Sequence, residues 1–220
     1  MKFRSVFDII GPVMIGPSSS HTAGAARIGL MARQLYGRQP KWAKIHLYGS
    51  FAKTYKGHGT DVALIGGLLS YDTDDERIKD AYKYAEEVGM NVEFVEEEGS
   101  AEHPNTARIR LGDDDGEFEL VGISIGGGKA EITELNGFEL RLTGQSPAIL
   151  IMHDDRYGAI ASVSKVLAEY EINIGHMEVS RKELGSDAMM IIETDGRLPA
   201  GVMEELKTCD HIKQVVTISD

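Results

Sequence analysis

Residues 142–158 read LTGQSPAILIMHDDRYG. The first six, Leu142-Thr-Gly-Gln-Ser-Pro147, are turn formers between two strand-like runs, so we place a domain boundary at Pro147. The apolar run over 148–152 is then a short strand and 153–158 a turn. Residues 159–170 are a helix with Ile160, Val163, Val166 and Leu167 on one face. Working onward, 172–179 reads as a strand, Leu184-Gly-Ser186 as a turn and 187–194 as another strand. Pro199 suits the first position of a helix running to Leu206, and 212–218 closes as a strand. The order βαββαβ within residues 148–220 predicts a ferredoxin-like domain, in which two helices cover one face of a four-stranded antiparallel sheet.

Working back from Pro147, the chain is more mixed. Helical patterns cover 22–36, 60–70 and 75–88, with a strand over 45–48 between the first two. Strands follow over 91–95, 106–111, 117–124, 130–135 and 138–142, with Asp113-Asp-Asp-Gly116 and Asn136-Gly137 as turns. The whole is therefore α+β: a mixed α/β domain over 1–147, then the βαββαβ domain over 148–220.

The chain has 220 residues, and the single cysteine, Cys209, excludes an internal disulfide. There is neither a run of ~18 apolar residues nor an apolar segment behind a basic start, so no membrane span or secretory signal is readable. We expect a soluble, cytoplasmic protein. The formal charge of −12 argues against nucleic acid or an anionic membrane as partners. The charge is unevenly spread. Residues 1–60 carry nine basic side chains against Asp8 alone, a net of +8, whereas 61–147 carry 7 basic and 21 acidic ones. Either the basic opening meets the acidic middle as solvated ion pairs, or its field draws in a small anion.

The most unusual string is Gly16-Pro-Ser-Ser-Ser-His-Thr22, standing directly before a helix. Its hydroxyls, its imidazole and the unpaired N–H groups of a helix start all suit an anion such as a carboxylate. The plainer reading is a Ser/Thr cap with spare hydroxyls. Lys56-Gly-His-Gly-Thr-Asp61 repeats the arrangement, with His58 as a loop histidine between glycines and Thr60 as an N-cap. A histidine so placed suits acid–base work or substrate binding; the plain alternative is a surface residue. Glu102-His-Pro-Asn-Thr106 adds His103 and Asn105. Gly126-Gly-Gly128 with Lys129 is either an anion cradle or a flexible turn. His46, His153 and His211 carry no role. No metal-ligand spacing, nucleophile elbow, phosphate loop or dinucleotide fingerprint is present.

At Ser5-Val-Phe-Asp8 followed by Ile15-Gly-Pro-Ser-Ser-Ser-His-Thr22, and on through Lys56–Asp61 and His103-Pro-Asn105, the chain resembles the β domain or β chain of bacterial iron-sulfur L-serine dehydratases. The later region resembles an ACT domain, through Asp155-Arg-Tyr-Gly158 at the strand-to-helix turn and Ile172-Asn-Ile-Gly175 at the second strand. Together they imply the two-chain enzyme. A [4Fe-4S] cluster normally needs several thiolates, and one cysteine cannot supply them, so the resemblance implies cysteines of a partner α chain as ligands and no metal site in this chain. It implies conversion of L-serine to pyruvate and ammonia, with an iron acting as Lewis acid on the serine hydroxyl, and a subunit inactive alone.

Carried onto this sequence, the family pattern makes His21, His58 and His103 the candidate catalytic residues. Ser18, Ser19, Ser20, Thr22, Thr60 and Asn105 become candidate substrate-binding residues. In the ACT-like part, Asp155, Gly158, Asn173, Ile174 and His176 occupy the places of an amino-acid effector site formed where two such domains associate. A purely structural dimerisation module is the plainer reading there. The alternative for the whole chain is a non-catalytic, amino-acid-binding regulatory subunit, since an allosteric domain of some phosphoglycerate dehydrogenases resembles this β domain in fold.

Overall fold

The computed structural model describes residues 13–218; the Ser5–Asp8 string lies outside them. The chain divides into two compact units, one up to Asn136 and one from Gly137.

In the first unit a π-helical turn, Ser19–Ala23, leads without a break into α1 (Gly24–Tyr36). Gly37, at φ 81°, ends the helix by donating its N–H to the Arg33 carbonyl. Next come β1 (Trp42–Tyr48), α2 (Gly49–His58), α3 (Thr60–Leu68), a 3-10 turn (Glu76–Asp80) and α4 (Ala81–Glu87). The strands β2 (Asn91–Glu96), β3 (Asn105–Asp113), β4 (Gly116–Gly126) and β5 (Lys129–Leu135) complete it. Within this unit the sheet order is β2-β1-β3-β4-β5. β1 and β2 are parallel and the other pairs antiparallel. A parallel pair needs a long crossover, and α2, α3 and α4 supply it.

α3 is apolar almost all round and is buried over nearly its whole length, as a helix packed on several sides must be. Its main neighbour is α1. The two helices approach through glycines: a Cβ on Gly67 would stand 2.2 Å from the Ala26 carbonyl oxygen, and one on Gly29 would stand 2.3 Å from that of Leu64. This close crossing joins Ala26–Leu30 of α1 to Leu64–Gly67 of α3, and the motifs singled out above stand at or just before the start of each helix.

The second unit holds β6 (Phe138–Leu142), β7 (Ala148–Asp154), α5 (Ala159–Glu169), β8 (Ile174–Arg181), β9 (Asp187–Thr194), α6 (Val202–Thr208) and β10 (Ile212–Ile218). From β7 onward the order is βαββαβ, in a four-stranded sheet of order β10-β7-β9-β8 whose pairs are all antiparallel. Ile149, Ile151, Met190 and Ile192 from the strands pack with Val163, Val166, Leu167, Val202 and Leu206 from the two helices. The α+β class and the ferredoxin-like second domain are as the sequence implied.

Several local expectations need correction. Residues 49–58 are a helix, so His58 lies on its last turn rather than in a loop, and Gly59, at φ 67°, provides the left-handed break to α3. Thr60 is therefore the first residue of α3 and not its cap; its side chain makes no capping bond. The first helix begins with the π-helical turn at Ser19 instead of at Thr22. The acidic helix over 75–88 is a 3-10 turn followed by α4. Pro199 is not the first residue of α6, which starts at Val202 after Gly201 at φ 93°. The three glycines 126–128 all have positive φ and turn β4 into β5.

The uneven charge resolves partly into ion pairs. Arg38 meets Asp113, Lys41 meets Asp114 and Lys44 meets Glu93. Basic residues of the opening thus pair with acidic residues of the middle, mostly at the surface, where such pairs contribute little.

Candidate active site

The site begins with a cap. Ser18 is extended, at φ −140°, and its Oγ accepts the His21 backbone N–H at 3.2 Å, while its carbonyl accepts the Thr22 N–H at 2.8 Å. The plain capping role thus falls to Ser18. Ser20 and His21 are left to face each other, Ser20 Oγ lying 3.0 Å from His21 Nδ1 and 3.3 Å from Ser18 Oγ. The turn is π-helical, a distortion that recurs at functional sites. Among the described residues the Ser19 side chain has no hydrogen-bond partner.

The second motif reaches the first through two contacts. Thr22 Oγ1 donates to the His58 carbonyl at 3.0 Å, and the His58 ring lies 5.0 Å from the His21 ring, centroid to centroid, tilted by 44°. Phe51 packs edge-on against His21 at 5.4 Å. The other ring nitrogen of His21, Nε2, is 2.9 Å from Ser50 Oγ, in the first turn of α2.

The third motif is attached at that same turn. Pro104 gives its carbonyl to the Ser50 N–H at 2.7 Å, and Asn105 bridges to Gly49. Gly49 adopts φ 55°, and a Cβ there would fall 2.7–3.2 Å from the Pro104 backbone, so only glycine permits this approach. His103 stays in its own loop, with Nδ1 accepting the Asn105 N–H at 3.1 Å and its carbonyl accepting from Thr106 Oγ1. The structure thus brings Ser18, Ser20, His21, Thr22 and His58 into direct contact and fixes Asn105 against the start of α2. It gives the His103 ring a local structural bond.

Four buried polar atoms near this junction have no hydrogen-bond partner among the described residues: His58 Nδ1, Thr60 Oγ1, Asn105 Oδ1 and Ser124 Oγ. Ser124 is fully buried on β4 beneath Gly24, and its carbonyl accepts from Asn105 Nδ2. Buried groups left unpaired cost free energy; His58 and Thr60 flank the break between α2 and α3, and Asn105 and Ser124 meet across β3 and β4. Sequence reading missed Ser50 and Ser124. A lone serine after a strand and another within one carry no signal, although the apolar spacing of Phe51, Ala52 and Tyr55 would have exposed the helix that places Ser50.

Burial first, and the neighbouring His58 second, lower the pKa of His21, so the ring is held neutral. An open depression of about 410 Å³ runs along α2 from Ala52 to His58, with Lys53, Lys56 and Glu96 on its walls.

Nothing among the described residues suits an iron-sulfur cluster. Among the described residues no group of three His, Cys, Asp or Glu is placed to hold a metal ion. Cys209, in the second unit, is half-buried, contacts the Glu205 carbonyl, and has its thiol pKa raised chiefly by burial, the reverse of what a thiolate ligand needs.

In the second unit the five effector candidates fall into two groups. Asp155 Oδ2 accepts from the Gly185 N–H at 2.9 Å and from Arg181 at 3.1 Å, which together lower its pKa, and Gly158 at φ 93° starts α5. Asn173 donates to Asp195 at 2.6 Å, and Ile174 and His176 pair with Thr194 and Glu193. Because Asp154 pairs with Asp187 and Ile174 with Thr194, the groups lie at opposite ends of β9. That is a separation of about 23 Å at the rise of an extended strand.

The model of the serine dehydratase beta chain matches residues 5–93, and that of the ACT domain matches 148–211. A Bacillus subtilis protein named "Probable L-serine dehydratase, beta chain" is 61% identical over the full length of both chains. The chain belongs to the serine dehydratase beta chain family. The "L-serine dehydratase, beta chain" of Peptoniphilus asaccharolyticus is 38% identical over 89% of each chain. A D-3-phosphoglycerate dehydrogenase of Methanocaldococcus jannaschii is 35% identical over 59% of this chain and 25% of its own length. The family match spans the Ser18–Thr22 turn and the His58 and Thr60 positions, and the ACT match covers the βαββα part of the second unit, from β7 through α6. No helix of the described residues is long and apolar enough to cross a membrane.

Proposed function

We propose that this chain is the β subunit of an iron-sulfur L-serine dehydratase, converting L-serine to pyruvate and ammonia in the cytoplasm together with an α chain. The observation that carries the proposal is the meeting of His21 and His58, backed by serine hydroxyls, in a member of this family. The cluster belongs to the cysteines of the α chain, a reading supported by the single cysteine of this chain, where a cluster normally needs several thiolates.

This chain's residues have separable tasks. The substrate carboxylate lies against the start of the π-helical turn, where the N–H groups of the helix start and the Ser19 hydroxyl stabilise negative charge, while Ser18 and Ser20 fix the turn through their bonds to His21. His21 stays neutral and, with Nδ1 facing Ser20 and Nε2 facing Ser50, holds the serine turn in place for the substrate. His58 has an unoccupied Nδ1 and is the group able to take up or return a proton. Thr60 and Asn105 offer further polar atoms to the amino acid, and His103 holds the Asn105 loop. Loss of the α-proton and of the β-hydroxyl as water leaves an aminoacrylate, which tautomerises to an imine and hydrolyses. In the ACT domain, effector binding by Asp155, Gly158, Asn173, Ile174 and His176 requires two copies, each giving one of the two groups.

The test is co-expression with a cysteine-bearing α chain under anaerobic conditions. The complex is expected to be brown and to deaminate serine, and the lone chain to do neither. Deamination by the lone chain would sink the proposal. The relatives named D-3-phosphoglycerate dehydrogenase favour a second reading, a non-catalytic amino-acid-binding regulatory subunit. Unchanged turnover at saturating serine in His21→Ala and His58→Ala complexes would support that reading instead.

A further inference from the structure

We propose that Ser50 is a positioning residue: its hydroxyl accepts the Nε2 proton of His21 and so fixes one tautomer and one tilt of that ring. Both nitrogens of His21 face hydroxyls, Nδ1 at 3.0 Å from Ser20 and 3.5 Å from Ser18, Nε2 at 2.9 Å from Ser50. A hydroxyl can donate or accept, so these distances alone allow either tautomer. The asymmetry lies in what else the hydroxyls do. Ser18 Oγ already accepts the His21 backbone N–H, which directs its own proton outward, towards Ser20 Oγ or Nδ1. The Nδ1 side is therefore supplied with donors. In a neutral ring the proton then sits on Nε2, and Ser50 is its acceptor.

Ser50 is itself held at several points. Its N–H donates to the Pro104 carbonyl and its carbonyl accepts from Thr54 Oγ1 at 2.8 Å, while Gly49 before it is pressed against Pro104. The position of the hydroxyl is thus set by the loop before β3, and it passes that position to His21. Through Ser50 the motif at 103–105 is linked to the motif at 16–22.

The inference that this placement matters for turnover rests on the proposed dehydratase reading, but the placement itself does not. The test uses the full chain, with Ser50→Ala and Ser50→Thr. Nitrogen-15 NMR of the His21 ring is expected to report the Nε2–H tautomer in the natural chain and in Ser50→Thr, and a mixture in Ser50→Ala. In the complex with the α chain, Ser50→Ala is expected to lower kcat about tenfold, as loss of a positioning hydrogen bond does, with KM little changed and Ser50→Thr restoring the rate. An Nδ1–H tautomer in the natural chain, or the same His21 spectrum in Ser50→Ala with circular dichroism confirming the fold, overturns the proposal. A changed spectrum beside a natural complex that does not deaminate serine overturns the dehydratase reading alone.

Discussion

Replacing Gly67 by alanine should loosen the crossing of α1 and α3 and weaken the first unit measurably. The added Cβ would stand 2.2 Å from the Ala26 carbonyl oxygen, 2.5 Å from the Leu30 nitrogen and 2.8 Å from the Gly29 carbonyl carbon. All three are backbone atoms of α1, so no side chain can turn aside, and restoring an ordinary 3.4 Å contact to the oxygen requires the helices to part by about 1.2 Å. Overpacking of this kind costs about 3 kcal/mol, the upper end of the usual range. Alanine returns about 1 kcal/mol through its higher helix propensity, leaving a net loss of about 2 kcal/mol. Gly57 is the control. It lies in α2 with nothing within 4 Å of its added Cβ and without a positive φ, so Gly57→Ala should stabilise by about 0.5–1 kcal/mol. Trp42, the only tryptophan in the chain, sits on β1 of the first unit. Its fluorescence in a urea titration therefore reports that unit. A Gly67→Ala midpoint equal to the natural one, or a Gly57→Ala midpoint below it, would refute the reasoning.

Three further outcomes can be checked on the same material. Burial and then His58 hold the His21 pKa below its ordinary 6.5, so the folded chain takes up that proton at a lower pH than the unfolded chain does. This contribution to stability is complete above pH 6.5 and is lost as the pH falls from 6.5 through the lower folded value. His58→Gln removes the second cause, and an NMR titration should find the His21 pKa raised towards 6.5; a fall would contradict the assignment. Ile151→Ala, at a fully buried position of the second core, should cost about 2–5 kcal/mol and leave the Trp42 unfolding curve of the first unit unchanged. In the assembled complex, serine affinity should weaken with added salt if the unpaired part of the basic opening attracts the carboxylate. A flat salt dependence would assign that charge to the surface ion pairs alone.

The second unit was legible because each of its elements announces itself locally. Ile149 and Ile151 alternate on β7, Val163, Val166 and Leu167 recur at helical spacing, and Gly158 marks the start of α5. Asn136 and Gly137, at the junction of the units, sit at φ 47° and 78°, left-handed values that Asn and Gly adopt most readily. The first unit hides its decisive element. α2 begins with a glycine, ends beside another and contains Gly57, so composition reads it as a loop, and its helical state is settled by Phe51, Ala52 and Tyr55 finding a core. Pro199 failed for a related reason. Its fixed φ permits a helix start, but Gly201 makes the turn and α6 begins only where Val202 can be buried. Tertiary burial chose the boundary over local propensity.

The same contrast separates the visible from the invisible half of the candidate site. Histidines and runs of serine are rare enough to draw attention, so His21, His58 and their hydroxyl neighbours could be named from the chain alone. What orders them is ordinary in sequence. A serine after a strand holds His21, a backbone carbonyl of Pro104 holds that serine, the Thr22 hydroxyl ties the serine turn to the His58 carbonyl, and a pair of glycines lets the two helices that follow, α1 and α3, meet closely. These contacts join residues tens of positions apart through groups that every chain possesses, which is why spacing and composition carry no trace of them. It follows that changes remote from the histidines should shift their chemistry in proportion to helix displacement. Gly67→Ala is expected to lower turnover in the complex along with stability, and Gly57→Ala to raise stability without a matching gain in rate.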